Sequence, residues 1–201
     1  MKNNLLFKLA IMIILFILAF VFSMLSGAGD ISFMQMLKAL FSNADENTLI
    51  IINKIRLPRF ILAVVAGAGL ASSGCIFQGI LRNPLADPFT LGISGGSAFG
   101  ASIAFALGLS AIGWIYIPMC AFIGAIIAIF LVYALNIKKG FDSNSMILSG
   151  VVASYIFSAM VMLIFAILSS DKLFSAFMWL MGNLSSFDER LLVPVSIVIV
   201  I

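Results

Sequence analysis

The chain has 201 residues, of which 63% are hydrophobic and 9% are charged, and its formal net charge is +3. Soluble domains have about 45–50% apolar and about 25% charged residues, so this composition excludes an ordinary water-soluble fold. A spanning helix needs about 20 mostly apolar residues, so the length suffices for about six spans and little else. Histidine is absent, and Cys75 and Cys120 lie alone in apolar runs, so no metal site or disulfide is predicted.

Apolar runs along the chain predict an all-α polytopic transmembrane bundle. The basic start resembles a signal peptide, but the run from Leu9 to Leu25 is long enough to span and further spans follow, which favours a retained helix. No alternating strand pattern of a barrel is visible. The predicted spans are residues 5–25, 57–80, 91–109, 113–135, 145–168 and 191–201. The sequence stops inside the sixth run, so we expect a single membrane domain, 1–201, that is incomplete at its C-terminus.

The segment RLPR, residues 56–59, is expected to open the second span, because proline suits the first turn of a helix. Arg56 and Arg59 are three apart and should share one face. Taken alone, they are typical of arginines that anchor a helix to lipid head groups. Basic density weakly favours a cytoplasmic N-terminus, which puts Lys54 and both arginines outside, against the positive-inside rule.

The segment RNPLADP, residues 82–88, cannot continue a helix because its two prolines disfavour helical geometry. It is predicted to form a turn built on Asn83, Pro84, Asp87 and Pro88. After it, glycines recur every four residues and should form a packing strip on the third span, rather than a phosphate loop. The glycines of this strip are Gly92, Gly96 and Gly100.

Polar residues near the other spans are few. Gln78 lies near the end of the second span, where it bonds another helix or faces a water-filled path, and the sequence leaves both interpretations open. Asp142 or Ser143 is expected to cap the fifth span. The stretch after that span, which contains Trp179, is typical of an amphipathic helix at the outer interface.

The stretch from RLPR through NPLADP and LGISGGSAFGA resembles the FecCD family, the permeases of ABC importers for iron-siderophores, haem and cobalamin. MILSGVVAS and MWLMGNLSSFD also resemble this family, in the same order. Family permeases are longer, with about ten spans. The resemblance implies a multi-pass protein of a prokaryotic cytoplasmic (inner) membrane. It also implies that the segment that grips the ATPase follows the sixth span.

The resemblance implies several partners. They are a second permease copy or paralogue, two cytoplasmic ATPase subunits that hold ATP and Mg²⁺, an extracytoplasmic substrate-binding protein and the lipid bilayer. The chain itself is expected to bind no cofactor, metal or nucleic acid. The resemblance also implies roles for individual residues. Arg56 and Arg59 are expected to dock the binding protein. Three further residues are candidates for an inner gate, and three others are candidates that face the transport path. The gate residues are Asp142, Ser143 and Asn144, and the path residues are Gln78, Ser154 and Ser158.

Two other functions fit the composition less well. A lipid-modifying membrane enzyme should carry His, Asp or Glu inside its spans, and none is visible there. An ion-coupled secondary transporter usually breaks a helix or buries an acid at mid-membrane, whereas the prolines here fall in a predicted loop. No catalytic pair is found either, and the resemblance to the FecCD family implies a transport subunit rather than an enzyme.

Overall fold

A computed structural model describes residues 2–27, 29, 31–41, 44–137 and 142–184. The described residues form helices and turns, without a strand, in two compact units, residues 1–69 with 184–201 and residues 70–183. Within these described ranges, four helices are long and apolar enough to cross a membrane. The helices are α1 Lys2–Leu25, α2 Phe33–Leu40, α3 Glu46–Ile50, a π-helical segment Ile51–Arg56, α4 Leu57–Leu81, α5 Ile93–Ala106, a 3₁₀ turn Leu109–Ala111, α6 Tyr116–Asn136, α7 Ser143–Ile167 and α8 Ser170–Met181.

The first unit packs the C-terminal turn of α1 against α2 and the π-helical segment. Ser32 and Gln35 form a capping box at α2, with Ser32 Oγ accepting the Gln35 amide at 3.3 Å and Gln35 Oε1 accepting the Ser32 amide at 2.8 Å. Phe60 on α4 makes edge contacts with Phe16 and Phe20 on α1. The buried residues of this cluster are Met24, Ile31, Met36, Ala39 and Ile52.

The helix that carries RLPR begins earlier than predicted. It runs without a break from Glu46 to Leu81, so Pro58 lies inside it rather than in its first turn. A proline inside an α-helix removes one hydrogen bond and clashes with the carbonyl four residues before it. The π-helical segment Ile51–Arg56 ends two residues before Pro58, and the Leu57 amide donates to the carbonyl of Ile52, five residues back. This wider turn accounts for the tolerance of proline there.

The second unit is built around α5, which packs against α6, α7 and α8. Ala104 and Ala176 are fully buried between α5 and α8. The ring centroids of Phe105 and Trp179 lie 6.5 Å apart in an edge-to-face arrangement. Lys172 Nζ on α8 donates to the carbonyl of Ala106 at 2.9 Å. A cation at this position satisfies an unpaired carbonyl and opposes the negative end of the helix dipole.

The helix in the predicted third span is shorter than 91–109. It covers 14 residues, Ile93–Ala106, and two glycines with positive φ flank it, Gly92 at 77° and Gly108 at 72°. Its length is about 21 Å, less than the ~30 Å core of a bilayer. The predicted sixth span, 191–201, lies outside the described residues.

Candidate functional site

A cavity of about 520 Å³ lies at the C-terminal end of α1, beside the π-helical segment. The two predicted docking arginines line it in different ways. Arg56 is only 5% exposed, whereas Arg59 is exposed. The other residues that line the cavity are Phe22, Ser23, Ser26, Gly27, Ile51 and Ile55.

The guanidinium of Arg56 binds the backbone of its own chain. Its Nη1 donates to the carbonyl of Met24, and its Nη2 donates to the carbonyl of Gly29 at 2.7 Å. Arg56 is therefore buried against its own backbone, whereas Arg59 is exposed, although both residues line the same cavity. The docking role itself stays a prediction, and Arg59 is the residue whose position suits it.

The segment after α4 is a compact turn that packs on the start of α7. Asn83 Oδ1 accepts the Leu85 amide at 2.9 Å, and Asp87 Oδ1 accepts the Thr90 amide at 2.6 Å. Thr90 Oγ1 in turn accepts the Asp87 amide at 3.0 Å. Pro84 and Pro88 lie within this turn, and fully buried Ala86 contributes to an apolar cluster with Met146 of α7.

The predicted packing strip lies where α5 meets its neighbours. A Cβ added at Gly96 would stand 2.5 Å from the carbonyl oxygen of Gly124 on α6, and one added at Gly100 would overlap the carbonyl of Cys120. At Gly92 an added Cβ would stand 3.0 Å from the carbonyl oxygen of Gly150 on α7. Backbones approach this closely only where side chains are absent.

The candidate gate residues form the start of α7. Asp142 is the cap, because its Oδ2 accepts the Ser145 amide at 3.2 Å. Ser143 Oγ is buried and has no hydrogen-bond partner among the described residues, and Asn144 is exposed. This arrangement places three different polar groups at one helix end.

The candidate path residues differ in their surroundings. Gln78 and Ser158 are exposed. Ser154 Oγ lies 3.1 Å from the carbonyl oxygen of Phe89 and 3.0 Å from that of Gly150, so it joins α7 to the turn after α4. A hydroxyl held in this way suits helix packing better than contact with a passing substrate.

The sequence did not draw attention to several polar residues. Ser23 lies in the last turn of α1 and Ser26 directly follows the helix, and both line the cavity. Thr90 follows Asp87 at a spacing of three. Buried Asn136, whose Nδ2 donates to the Val132 carbonyl at 2.8 Å, had no signal, because its burial depends on packing by distant residues.

The long apolar helices and the close glycine contacts between them together define a multi-pass α-helical membrane protein. The chain belongs to the FecCD transport family, whose model matches residues 14–201.

Individual relatives agree with this assignment. The chain is 37% identical over 151 residues to the achromobactin transport system permease CbrC of Dickeya dadantii, covering 74% of this chain and 43% of that protein. It is 39% identical over 140 residues to the cobalamin import system permease BtuC of Halobacterium salinarum, covering 69% and 37%. Thus the chain spans about half the length, or less, of these curated relatives.

A solved structure shares the fold. It shows an inward-facing conformation of a metal-chelate type ABC transporter, with a TM-score of 0.74 and 31% identity, and the match covers 95% of this chain and 57% of that one. The likeness therefore extends over nearly all of this chain.

Proposed function

We propose that this chain is part of the membrane-spanning permease subunit of an ABC importer in a prokaryotic cytoplasmic membrane. The observation that carries the proposal is the family match over residues 14–201, together with the structural likeness to a metal-chelate type ABC transporter. The names of the relatives, for achromobactin and for cobalamin, favour a large chelate such as an iron-siderophore or a corrinoid as the cargo.

In this proposal the chain moves its cargo by alternating access and performs no chemistry. Two cytoplasmic ATPase subunits bind ATP and Mg²⁺, and their cycle drives two permease bundles between outward-open and inward-open states. Polar groups at the start of α7, Asp142 to Asn144, are proposed to line the inner gate. Exposed Gln78 and Ser158 are proposed to face the path, whereas Ser154 is proposed to hold α7 to the preceding turn.

Docking of an extracytoplasmic binding protein is proposed to use Arg59. Arg59 is exposed and lines a cavity that Ser23 and Ser26 also line, and arginine pairs with carboxylates in a bidentate geometry. Lysine cannot reproduce that geometry, which separates docking from simple anchoring at the membrane surface. Arg59→Lys should therefore weaken the coupling, and Arg59→Glu should abolish it by repulsion between like charges.

The experiment is to reconstitute the permease with its ATPase subunits and to measure how loaded binding protein stimulates ATP hydrolysis. Close charge pairs at interfaces are worth about 1.5–7 kcal/mol, so Arg59→Glu should lower the apparent affinity for the binding protein at least about tenfold. Added salt should weaken stimulation of the parent, because exposed charges are screened over ~8–10 Å.

A matched control is Lys54→Glu, which reverses an exposed charge close by but outside the cavity lining. It should retain most of the stimulation. If Arg59→Glu is stimulated as fully as the parent, Arg59 only anchors the helix and the docking assignment is wrong. A secondary transporter or a lipid-modifying enzyme would not couple a loaded binding protein to the ATPase, so a parent permease that gives no stimulation would contradict the importer proposal.

A further inference from the structure

The short helix α2 has two apolar surfaces, and only one of them packs against the protein. Met36 and Ala39 are buried in the cluster at the end of α1. Phe33, Met34 and Phe41, the last of which caps the helix, are 51%, 61% and 75% exposed and form the exposed apolar face of α2. Single exposed apolar side chains are common, but three large ones on a helix of eight residues require an explanation.

Three kinds of surface follow one another around α2. Successive residues of an α-helix are about 100° apart, so the exposed apolar face covers an arc of about 100°. A polar edge formed by Gln35 and Lys38 comes next, and Lys38 is exposed. The buried side, with Met36 and Ala39, completes the circle and packs with residues of α1 and the π-helical segment. This order fits a helix that lies flat on a membrane, with protein beside it, water at the polar edge and lipid at the exposed apolar face.

The level of α2 relative to the bilayer follows from α1. The span Leu5–Leu25 has 21 residues, and its length of about 31 Å matches the ~30 Å hydrocarbon core. The end of this span therefore lies at the boundary of the core. Met24, in its last turn, packs in the same cluster as the buried side of α2, and packed helices lie about 8–10 Å apart. Thus α2 lies close to the boundary between acyl chains and head groups.

The local structure of α2 suits this level. Its capping box, Ser32 with Gln35, satisfies amides at the start of the helix. Lys38 at the polar edge keeps its ammonium in water while its stem lies on apolar surface. Isolated helices shorter than about 12–15 residues are marginal in water, so a helix of this length depends on contacts along its sides. The protein supplies such contacts on the buried side only.

We propose that α2 is an interfacial anchor that inserts Phe33, Met34 and Phe41 into the lipid surface on the side of the membrane where α1 ends. The partner is the bilayer itself. The anchor fixes the depth at which the segment between α1 and the long helix lies. Because the argument uses only the end of α1, it holds for either orientation in the membrane and does not depend on the proposed docking function.

Spin labels test the surroundings of each surface. Phe33→Cys, Phe41→Cys or Lys38→Cys is introduced into a cysteine-free full-length permease, which is labelled and reconstituted with its ATPase subunits in lipid nanodiscs. Collisions with oxygen, which dissolves in acyl chains, are compared with collisions with a water-soluble nickel chelate. The ratio of oxygen to nickel collisions should be at least about threefold higher at Phe33→Cys and Phe41→Cys than at Lys38→Cys, the matched control on the polar edge.

Three results of this measurement would overturn the proposal. Equal ratios at the three positions would place the exposed apolar face in water. Low access of both reagents at Phe33→Cys and Phe41→Cys would mean that protein covers the face, either a further part of a longer permease or a second copy. Loss of oxygen access after addition of loaded binding protein would identify the face as a docking surface for that protein.

Hydrogen exchange provides a second measurement, without a label. Phe33→Ser combined with Phe41→Ser should speed the exchange of amides in residues 36–40 at least about fivefold in nanodiscs, because the short helix loses its contact with lipid. Lys38→Ser, the matched control, should change this exchange by less than about twofold. Parental exchange in α1 would show that both variants are folded. Equal exchange in the double serine variant and in Lys38→Ser would show that α2 gains nothing from lipid, and the anchor would be wrong.

Discussion

Asp45 starts the long helix with a charge-dependent cap. Its Oδ1 accepts the Thr48 hydroxyl at 2.8 Å and its Oδ2 accepts the Thr48 amide at 3.3 Å. These hydrogen bonds lower the pKa of the Asp45 carboxyl below its ordinary value, and the bond from the Thr48 hydroxyl has the larger effect. Because the pKa is lowered in the folded state, the cap stabilises the helix fully at pH values above the ordinary pKa of an aspartate, about 3.9. This stabilisation is lost as pH falls through the folded pKa.

The expected result is faster amide exchange in residues 46–50 as pH falls below about 4, relative to a variant whose cap does not titrate. Asp45→Asn is that variant, because asparagine caps helices well and stays neutral. The ratio of exchange rates, parent over variant at each pH, should rise below pH 4 and stay flat above pH 5. A ratio that stays flat throughout would show that the cap contributes no charge-dependent stability.

Residue spacing alone did not distinguish Arg56 from Arg59. A separation of three residues correctly places both at one cavity, since both line it. Arg56 is buried because its guanidinium donates a hydrogen bond to the carbonyl of Met24, 32 positions away, and packs against the turn through Gly27 and Gly29 that follows α1. A contact over such a distance leaves no periodic signal in the sequence, so the different environments of the two arginines could not be predicted.

At the scale of elements, the glycine contacts of α5 give a direct test. A Cβ at Gly96 would stand 2.5 Å from the Gly124 carbonyl oxygen and 2.6 Å from Ala128 Cβ, both on α6. Gly96→Ala therefore forces the two backbones apart, and overpacking typically costs about 1–3 kcal/mol. The melting temperature of the purified protein in detergent should fall, and Gly96→Leu should lower it further.

Gly74 on α4 is the matched control. In the part of the chain that the structure describes, no atom outside its own helix backbone and its chain neighbours lies within 4 Å of a Cβ built there. Alanine is the better helix former by about 0.5–1 kcal/mol, so Gly74→Ala should melt at or above the parental temperature. Equal melting of Gly96→Ala and the parent would show that the α5–α6 contact does not depend on glycine.

The apolar runs were sufficient to predict α1, α6 and α7, because long uninterrupted hydrophobic segments have few alternatives to a helix in a bilayer. The same argument overestimated α5, since Gly92 and Gly108 are apolar by composition but end the helix through their positive φ. It also missed the helix before Pro58, because proline normally marks a boundary and the π-helical segment that accommodates it has no signature in hydropathy.

At the scale of the whole molecule, the orientation in the membrane decides which end of α4 meets which partner. α4 covers 25 residues, Leu57–Leu81. That length corresponds to about 37 Å, more than the ~30 Å bilayer core, so its two ends should emerge on opposite sides. Basic residues divide almost evenly between the two sides, so the positive-inside rule leaves the orientation to experiment.

Labelling of single introduced cysteines should establish the orientation of α4 in the membrane. The two native cysteines are first removed by Cys75→Ala and Cys120→Ala. Asn53→Cys and Leu85→Cys place thiols at exposed positions just before and just after α4. Spheroplasts are treated with a membrane-impermeant maleimide, and labelling is compared with that after permeabilisation. If the N-terminus is cytoplasmic and Arg59 lies on the outer side, Asn53→Cys should react in intact spheroplasts. Leu85→Cys should react only after permeabilisation, and the reverse pattern would place Arg59 inside, where no binding protein could reach it.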